Sequence, residues 1–478
     1  MTPQLPVTTL SREEDTIVAS VPTESAETGN VDLSSSENRT QDHLVEDAGD
    51  DDLSEGDSHF DDASSDISMT STIEYSQESY ETFKDKCLEL ILQIFKGRTA
   101  EQIRIHRVAG GSYNRIIGVT VDQTRKRTSS PAGRIKNFIR KFFGSPTNKP
   151  CATEQYVLRI PRFASNTGVI PYHAATLGFV NNRLRCPVPT IVFGNTTENN
   201  PLGSGYVIQR RLSGTSLAVL WDYLTLEQKR SAVRQVSQIT VEMTNITNSC
   251  AGIISILNGD SDLKGTPKLE TFPVPKLTVQ TPEFTKPNTL PAKPQTTKDL
   301  MIEQCERWRE YEEATDGYAN DEIWDGFIRV INKLHALGFL PDEDPFHFCH
   351  LDFQARNILA EVKGDGVTIT GVLDWDSAVF APKFMAKRAP FWVWQDEDAD
   401  ELDETQATSG PLAEEETELK KVFEENVDTD FLRYAYSPEY IFARRIFRFL
   451  HEGILYYHQE HEAMAIVEDF EELYPSEE

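Results

Sequence analysis

The pattern of residues predicts an α+β protein of two lobes, a small antiparallel-sheet lobe followed by a larger helical one. Three observations lead there. Short β-like runs with one helix among them fill 103–209, and helical spacing takes over from Leu217. An acidic tail rich in Ser and Thr precedes both. Strands gathered before helices indicate segregated α+β architecture.

The tail, residues 1–80, carries 20 acidic and 2 basic residues and is expected to be disordered, because it holds too little apolar surface to offset chain entropy. Cys87, Leu88, Ile91, Leu92 and Phe95 then recur at helical spacing, with Gly97 as a stop. The runs Ile103–Val108, Ile116–Val121, Tyr156–Ile160, Thr190–Phe193 and Tyr206–Gln209 read as strands, with a helix over Tyr172–Leu184. This small lobe spans 81–212 and the helical lobe 213–478. In the latter, Trp324, Phe327, Ile328, Ile331, Leu334 and Leu337 outline one helix, and Ser437-Pro438 opens another through Ile441, Ile446, Phe449 and Leu450. Two insertions interrupt the plan. Residues 123–149 hold 8 Lys or Arg and no acid, and 259–297 are rich in Pro, Thr and Lys and read as a poorly ordered excursion.

Composition narrows the function. The 478 residues carry 47 Lys plus Arg against 77 Asp plus Glu, a net charge of −30. The tail accounts for −18 and Asp396–Glu418 for −11, which leaves −1 for the remaining 375 residues. The negative field argues against nucleic-acid binding. Six scattered cysteines without a C-x-x-C pair read as reduced thiols, and neither a membrane-spanning run nor a secretory signal is visible. A soluble cytoplasmic monomer is expected.

Chemistry concentrates between His350 and Asp376. His350-Leu351-Asp352 and Asn357 lead into an apolar run, a Lys363-Gly364-Asp365-Gly366 turn, and a second run ending Leu373-Asp374-Trp375-Asp376. Two apolar runs about such a turn form a β-hairpin, which brings Asn357 and Asp374 within a residue or two of facing each other. Asp352 lies just upstream. Two carboxylates and an amide at one edge suit Mg²⁺ and phosphoryl transfer, which needs a cation on the phosphates and a carboxylate on the attacking hydroxyl. No G-x-x-x-x-G-K-[ST] occurs, which disfavours a P-loop NTPase.

The spacing H-x-D-x-x-x-x-N followed by Leu373-Asp374-Trp375-Asp376 resembles the aminoglycoside phosphotransferase family, which includes choline-kinase-like enzymes, in its fungal-type members. The resemblance covers about Ile103–Trp394 without the insertions. It implies a two-lobed protein-kinase-like fold and ATP- and Mg²⁺-dependent phosphorylation of a hydroxyl on a small molecule. Asp352 and His350 fall at catalytic-loop positions, His350 more as a hydrogen-bonding brace than as a proton carrier, and Asn357 and Asp374 at the metal positions. Gly110-Gly111-Ser112 would cover the nucleotide, although the same turn also serves ordinary hairpins. Tyr206–Leu212, with Gln209 and Arg211, resembles the strand entering the lobe hinge, where backbone would meet adenine.

Two departures stand out. Arg159 takes the place of the phosphate-binding Lys, and the helix acid that normally pairs with that Lys is missing, since its position falls near His173 and no Asp or Glu occurs between Gln155 and Thr197. An active enzyme is favoured. A nucleotide-binding pseudokinase or interaction module is the alternative, and a protein kinase is disfavoured because no A-P-E element follows Asp374. Residues 133–144 form an amphipathic pattern that suits either an anionic membrane or packing on the small lobe, with packing preferred. Carboxylates of 396–418 with Trp392 or Trp394 would suit a cationic acceptor, against the plainer reading of a solvated linker beside core tryptophans.

Overall fold

A computed structural model describes residues 77–108, 113–123, 153–163, 168–256, 263, 265–274, 289–317, 319–395 and 403–475. Tail residues 1–76 and the amphipathic stretch 133–144 lie outside them.

The first sheet contains β1 (Ile103–Arg107), β2 (Asn114–Asp122), β3 (Thr153–Pro161), β4 (Ile191–Asn195) and β5 (Tyr206–Arg210), in the order β1-β2-β3-β5-β4 with antiparallel neighbours. Alternation sorts its faces. Ile117, Val119, Val121, Tyr156, Leu158, Ile160, Tyr206 and Ile208 pack against Phe83, Cys87, Leu90 and Ile91 of α1 (Tyr80–Ile94). Arg159 and Gln209 fall on the opposite face. The α1 helix ends at Phe95, and Gly97 follows at φ 85°, as its sequence position suggested. The next helix, α2 (Ile170–Asn181), is apolar on nearly every side and buries Ile170, Tyr172, Ala174, Ala175, Leu177 and Val180.

The larger lobe is helical, with α3 (Leu226–Thr244), α4 (Thr297–Asp316), α5 (Asp321–Ala336), α6 (Glu414–Glu425), α7 (Thr429–Tyr436), α8 (Pro438–Glu452) and α9 (Tyr457–Leu473). Thr225 caps α3 by accepting from the Gln228 N–H, while the Gln228 side chain returns to the Thr225 N–H. Asp321 and Glu322 sit in the first turn of α5 and Lys333 and His335 in its last, complementing the helix dipole. Trp324, Phe327, Ile331 and Leu334 are buried there as expected, but Leu337 lies just past the helix and is 43% exposed.

The lobe contains more sheet than its helical pattern showed. Strands β6 (Thr215–Ser216), β11 (Ile358–Lys363) and β12 (Gly366–Val372) form one sheet. A second has the order β7-β10-β13-β8-β9, from β7 (Thr247–Asn248), β8 (Gly252–Ile256), β9 (Pro267–Glu270), β10 (Phe346–Cys349) and β13 (Val379–Ala381). The expected excursion over 259–297 is thereby corrected in part. Its residues 267–270 pair with β8, Phe272 and Val274 are buried, and Glu270 bridges to Pro291. Polar and proline-rich composition concealed a strand that buries its apolar residues singly.

Candidate active site

The buried strand β10 delivers the chain to His350, and hydrogen bonds shape the loop that follows. The His350 Nε2–H donates to the Leu373 carbonyl at 2.8 Å, and its Nδ1 accepts from the Asp352 N–H at 3.2 Å. Burial lowers its pKa, against the pull of the Leu373 carbonyl and Asp352, and the ring rests on Trp375 at 4.7 Å. With both nitrogens engaged by backbone, His350 braces the loop against the end of β12.

The hairpin forms as the turn dictates. Lys363 pairs with Gly366 and Ile358 with Val372, with a register shift at Leu359/Ala360. The Leu373 N–H donates to the Asn357 carbonyl at 2.8 Å, so Asn357 and Asp374 are offset by one residue across the strand ends. Asn357, 8% exposed, donates from Nδ2 to Asp352 Oδ2 at 2.7 Å and to the Asp352 carbonyl at 3.0 Å. The amide's Oδ1 is an acceptor of the kind that could hold a cation. Asp352 Oδ1 accepts from Arg356 at 2.5 Å.

Asp374 has φ 57°, the positive value of a non-glycine residue among those described. Such a conformation costs about 1–2 kcal/mol for most residues, less for Asp and Asn, and persists where surroundings enforce it. Here Trp375, buried and donating to the Val372 carbonyl at 2.9 Å, anchors the turn from the far side. The Asp374 carboxylate remains 47% exposed.

Arg159 reaches this edge from β3. Its Nη2 contacts Asp374 Oδ1 at 3.1 Å and Asp376 Oδ2 at 2.6 Å, and its Nη1 contacts Asp376 Oδ1 at 3.3 Å. Burial works against the guanidinium charge, but Asp376 and then Asp374 outweigh it and raise the pKa. Burial likewise opposes the Asp376 charge, yet Arg159 and then His173 hold its pKa below the ordinary value. Arg159 thus contacts Asp374, and Asn357 contacts Asp352, with the Leu373 N–H to Asn357 carbonyl bond setting the two pairs at adjoining strand ends.

Gln209 is buried in β5, opposite Val157. Arg211 lies beyond β5 with Nη1 3.1 Å from His106 Nε2. Gly110, Gly111 and Ser112 lie outside the described residues. Trp394 is 1% exposed, packs at a tilt against Phe423 in a core, and already carries the Lys420 ammonium 5.8 Å from its ring centroid, so a cationic acceptor has no open face there. Trp392 donates to the Phe353 carbonyl at 3.2 Å, half-buried beside the catalytic loop. The described part of the acidic segment is not a simple solvated linker. Glu404 is buried between Arg444 and Arg388, and Glu415 and Glu418 pair with Lys229 and Arg230 of α3.

Comparison with known proteins decides the affiliation. The model of the phosphotransferase enzyme family, APH, matches residues 147–385, half of the chain, and includes Arg159, Asp352, Asn357 and Asp374. The chain belongs to that family. A subtelomeric hrmA-associated cluster protein of Aspergillus fumigatus is 32% identical over 65 residues, 14% of this phosphotransferase-family chain and 13% of that protein. Among solved structures, the aminoglycoside phosphotransferase APH(4)-Ia is 12% identical with a TM-score of 0.41, covering 82% of this chain and 100% of its own. The GDP complex of aminoglycoside 2'-phosphotransferase-IIIa is 12% identical with a TM-score of 0.39, covering 80% and 97%.

In this phosphotransferase-family chain, sequence reasoning missed the connection of Arg159 to Asp376, which lies 217 residues away. It also missed His173 Nδ1, 3.4 Å from Asp376 Oδ2, and the Arg356 contact to Asp352. The Asp376 signal was present in the motif, two residues past Asp374, but nothing in one chain tells which cation it faces. Among the described residues no helix is long and apolar enough to cross a membrane.

Proposed function

We propose that the protein transfers the γ-phosphoryl group of ATP to a hydroxyl of a small molecule. The observation that carries this reading is the convergence of Asp352, Asn357, Asp374 and Arg159 at one strand edge. The residues fit Mg²⁺: one exposed carboxylate and one free amide oxygen match an ion that takes few protein ligands and keeps positions for water and phosphate. When bound there, Mg²⁺ neutralises phosphate charge.

This chain's own residues supply the rest. Asp352 accepts a hydrogen bond from the acceptor hydroxyl and orients it, while the Asn357 amide and Arg356 fix its carboxylate. The proton passes to Asp352 as the phosphoryl group arrives, so the carboxylate needs no unusual basicity in a loose transition state. Arg159 offers a planar fork to phosphate oxygens. Together these preorganised charges supply stabilisation without reorganisation during the reaction.

The test is thermal stability with and without Mg-ATP, followed by turnover on a panel of hydroxylated metabolites. Stabilisation with turnover supports the reading. Stabilisation without turnover on any acceptor points to a nucleotide-binding module. Asp374→Asn keeps a residue at home in the left-handed region and removes the charge. It should abolish stabilisation by Mg-ATP, and normal Mg-ATP binding by that variant would refute the metal role of Asp374.

A further inference from the structure

We infer that Asp376 positions Arg159 for the nucleotide phosphates, doing from the strand end what an acid on the helix after β3 would otherwise do. The inference rests on the reading of this edge as a Mg-nucleotide site.

The sequence offers no acid on α2 or anywhere between Gln155 and Thr197, so Arg159 has no partner of that sign there. Asp376 fills the role from the opposite side. Both its oxygens meet the guanidinium, at 2.6 and 3.3 Å, whereas Asp374 offers a single contact at 3.1 Å. The Arg159 and Asp376 side chains are 14% and 19% exposed, so the pair is largely desolvated and its geometry well fixed. The carboxylate is itself held: Trp375 is buried immediately before it, and His173 approaches it at 3.4 Å.

The two contacts have different characters. Asp376 is a two-point partner in the interior, and Asp374 is a one-point partner whose carboxylate is half in solvent. Arg159 therefore stays with Asp376 when Asp374 turns to a cation. The guanidinium explains why Arg stands where Lys is usual. A planar fork can hold a carboxylate with two nitrogens and still present an edge to phosphate, whereas a single ammonium has no fixed second edge.

A second contact removes the need for an ion pair from α2. The Tyr172 hydroxyl donates to Glu270 Oε2 at 2.9 Å, which ties the first turn of α2 to β9 of the larger lobe. The helix is placed by that buried contact, and His173 is carried to Asp376 with it.

The test is a double-mutant cycle on the full chain, reading Mg-ATP affinity by calorimetry with nucleotide-free melting as the folding control. Asp376→Asn should weaken Mg-ATP binding about 10-fold or more in the wild-type background, and less than about 2-fold in Arg159→Met. Returning the acid to α2 through His173→Glu in the Asp376→Asn background should restore affinity to within about 3-fold of wild type. Equal losses from Asp376→Asn in both backgrounds would show that Asp376 acts independently of Arg159 and would overturn this inference alone. Failure of wild type to bind Mg-ATP would overturn the site reading together with it. If Asp376→Asn does not fold, the His173→Glu/Asp376→Asn protein must fold and bind Mg-ATP, and its failure to do so also overturns the inference.

Discussion

Two arginine–carboxylate clusters in this molecule invite comparison. Arg444 of α8, 2% exposed, pairs with Glu404 and also donates to the carbonyls of Phe384, Tyr434 and Ala435 at 2.8–3.2 Å. Arg388 adds a second cation to the same Glu404 at 2.9 Å. Arg159 instead divides itself between Asp376 and a half-exposed Asp374. In the first cluster backbone carbonyls take up the remaining donors, and the geometry has nothing further to bind. In the second, one carboxylate is held loosely by a cation that has another partner. A buried arginine marks a structural joint when its partners are permanent, and a working site when one of them can leave.

The contrast is broken most severely at Asp352. Asp352→Asn should lower kcat on any accepted substrate by about 10³-fold or more while moving the melting temperature little, because general-base and orienting roles lie in this range. Steady-state kinetics with melting curves checks both halves.

The structural cluster should respond in the opposite sense. Glu404→Leu leaves Arg444 and Arg388 without their carboxylate and should cost about 3–5 kcal/mol, read from urea denaturation. Intact Mg-ATP affinity in the surviving folded fraction would sharpen the division between the clusters, and loss of affinity without loss of stability would erase it.

His451, half-buried with its ring against Phe272, extends the comparison to a base. Burial pushes its pKa down to about 4 from 6.5. The unfolded chain therefore takes up a proton between those values that the folded chain refuses. Stability is unaffected above pH 6.5 and declines as pH falls toward 4, by up to roughly 3 kcal/mol. Denaturation midpoints for the wild type and His451→Phe from pH 7 to pH 4 should show the flatter profile in the variant.

The smallest effect is expected at Tyr172. Tyr172→Phe removes one hydrogen bond to a carboxylate that Lys268, Ser255 and Thr289 also contact, and should cost about 1–2 kcal/mol in urea denaturation.

Much of this was legible in the sequence. The five strands of the first sheet alternate clearly enough to be placed within a few residues, and the hairpin turn at Gly364 fixed the meeting of Asn357 and Asp374. The shorter strands β7, β8 and β9 were not legible, because pairs such as Thr247–Asn248 have no periodicity to read and Pro267–Glu270 lies in proline-rich sequence. Asp376 was visible as part of a motif, but its partner was not. Contact between residues 217 apart is a property of the closed fold. The acidic segment misled because composition counts charges without their partners, and Glu404 is neutralised by arginines of two other segments.

The chain around Glu270 has a consequence for how this protein tolerates change in length. Thr271 donates its N–H to the Leu290 carbonyl at 2.8 Å, Leu290 donates back to Thr271 Oγ1 at 2.9 Å, and Ala292 returns to Leu269 at 3.1 Å. The two ends of the intervening stretch are thus stitched together before it departs. Residues gained or lost between Val274 and Thr289 lie beyond the hydrogen bonds that set the strand anchoring α2. The segment is a place where sequence can drift in length while Arg159 and Asp376 keep their setting.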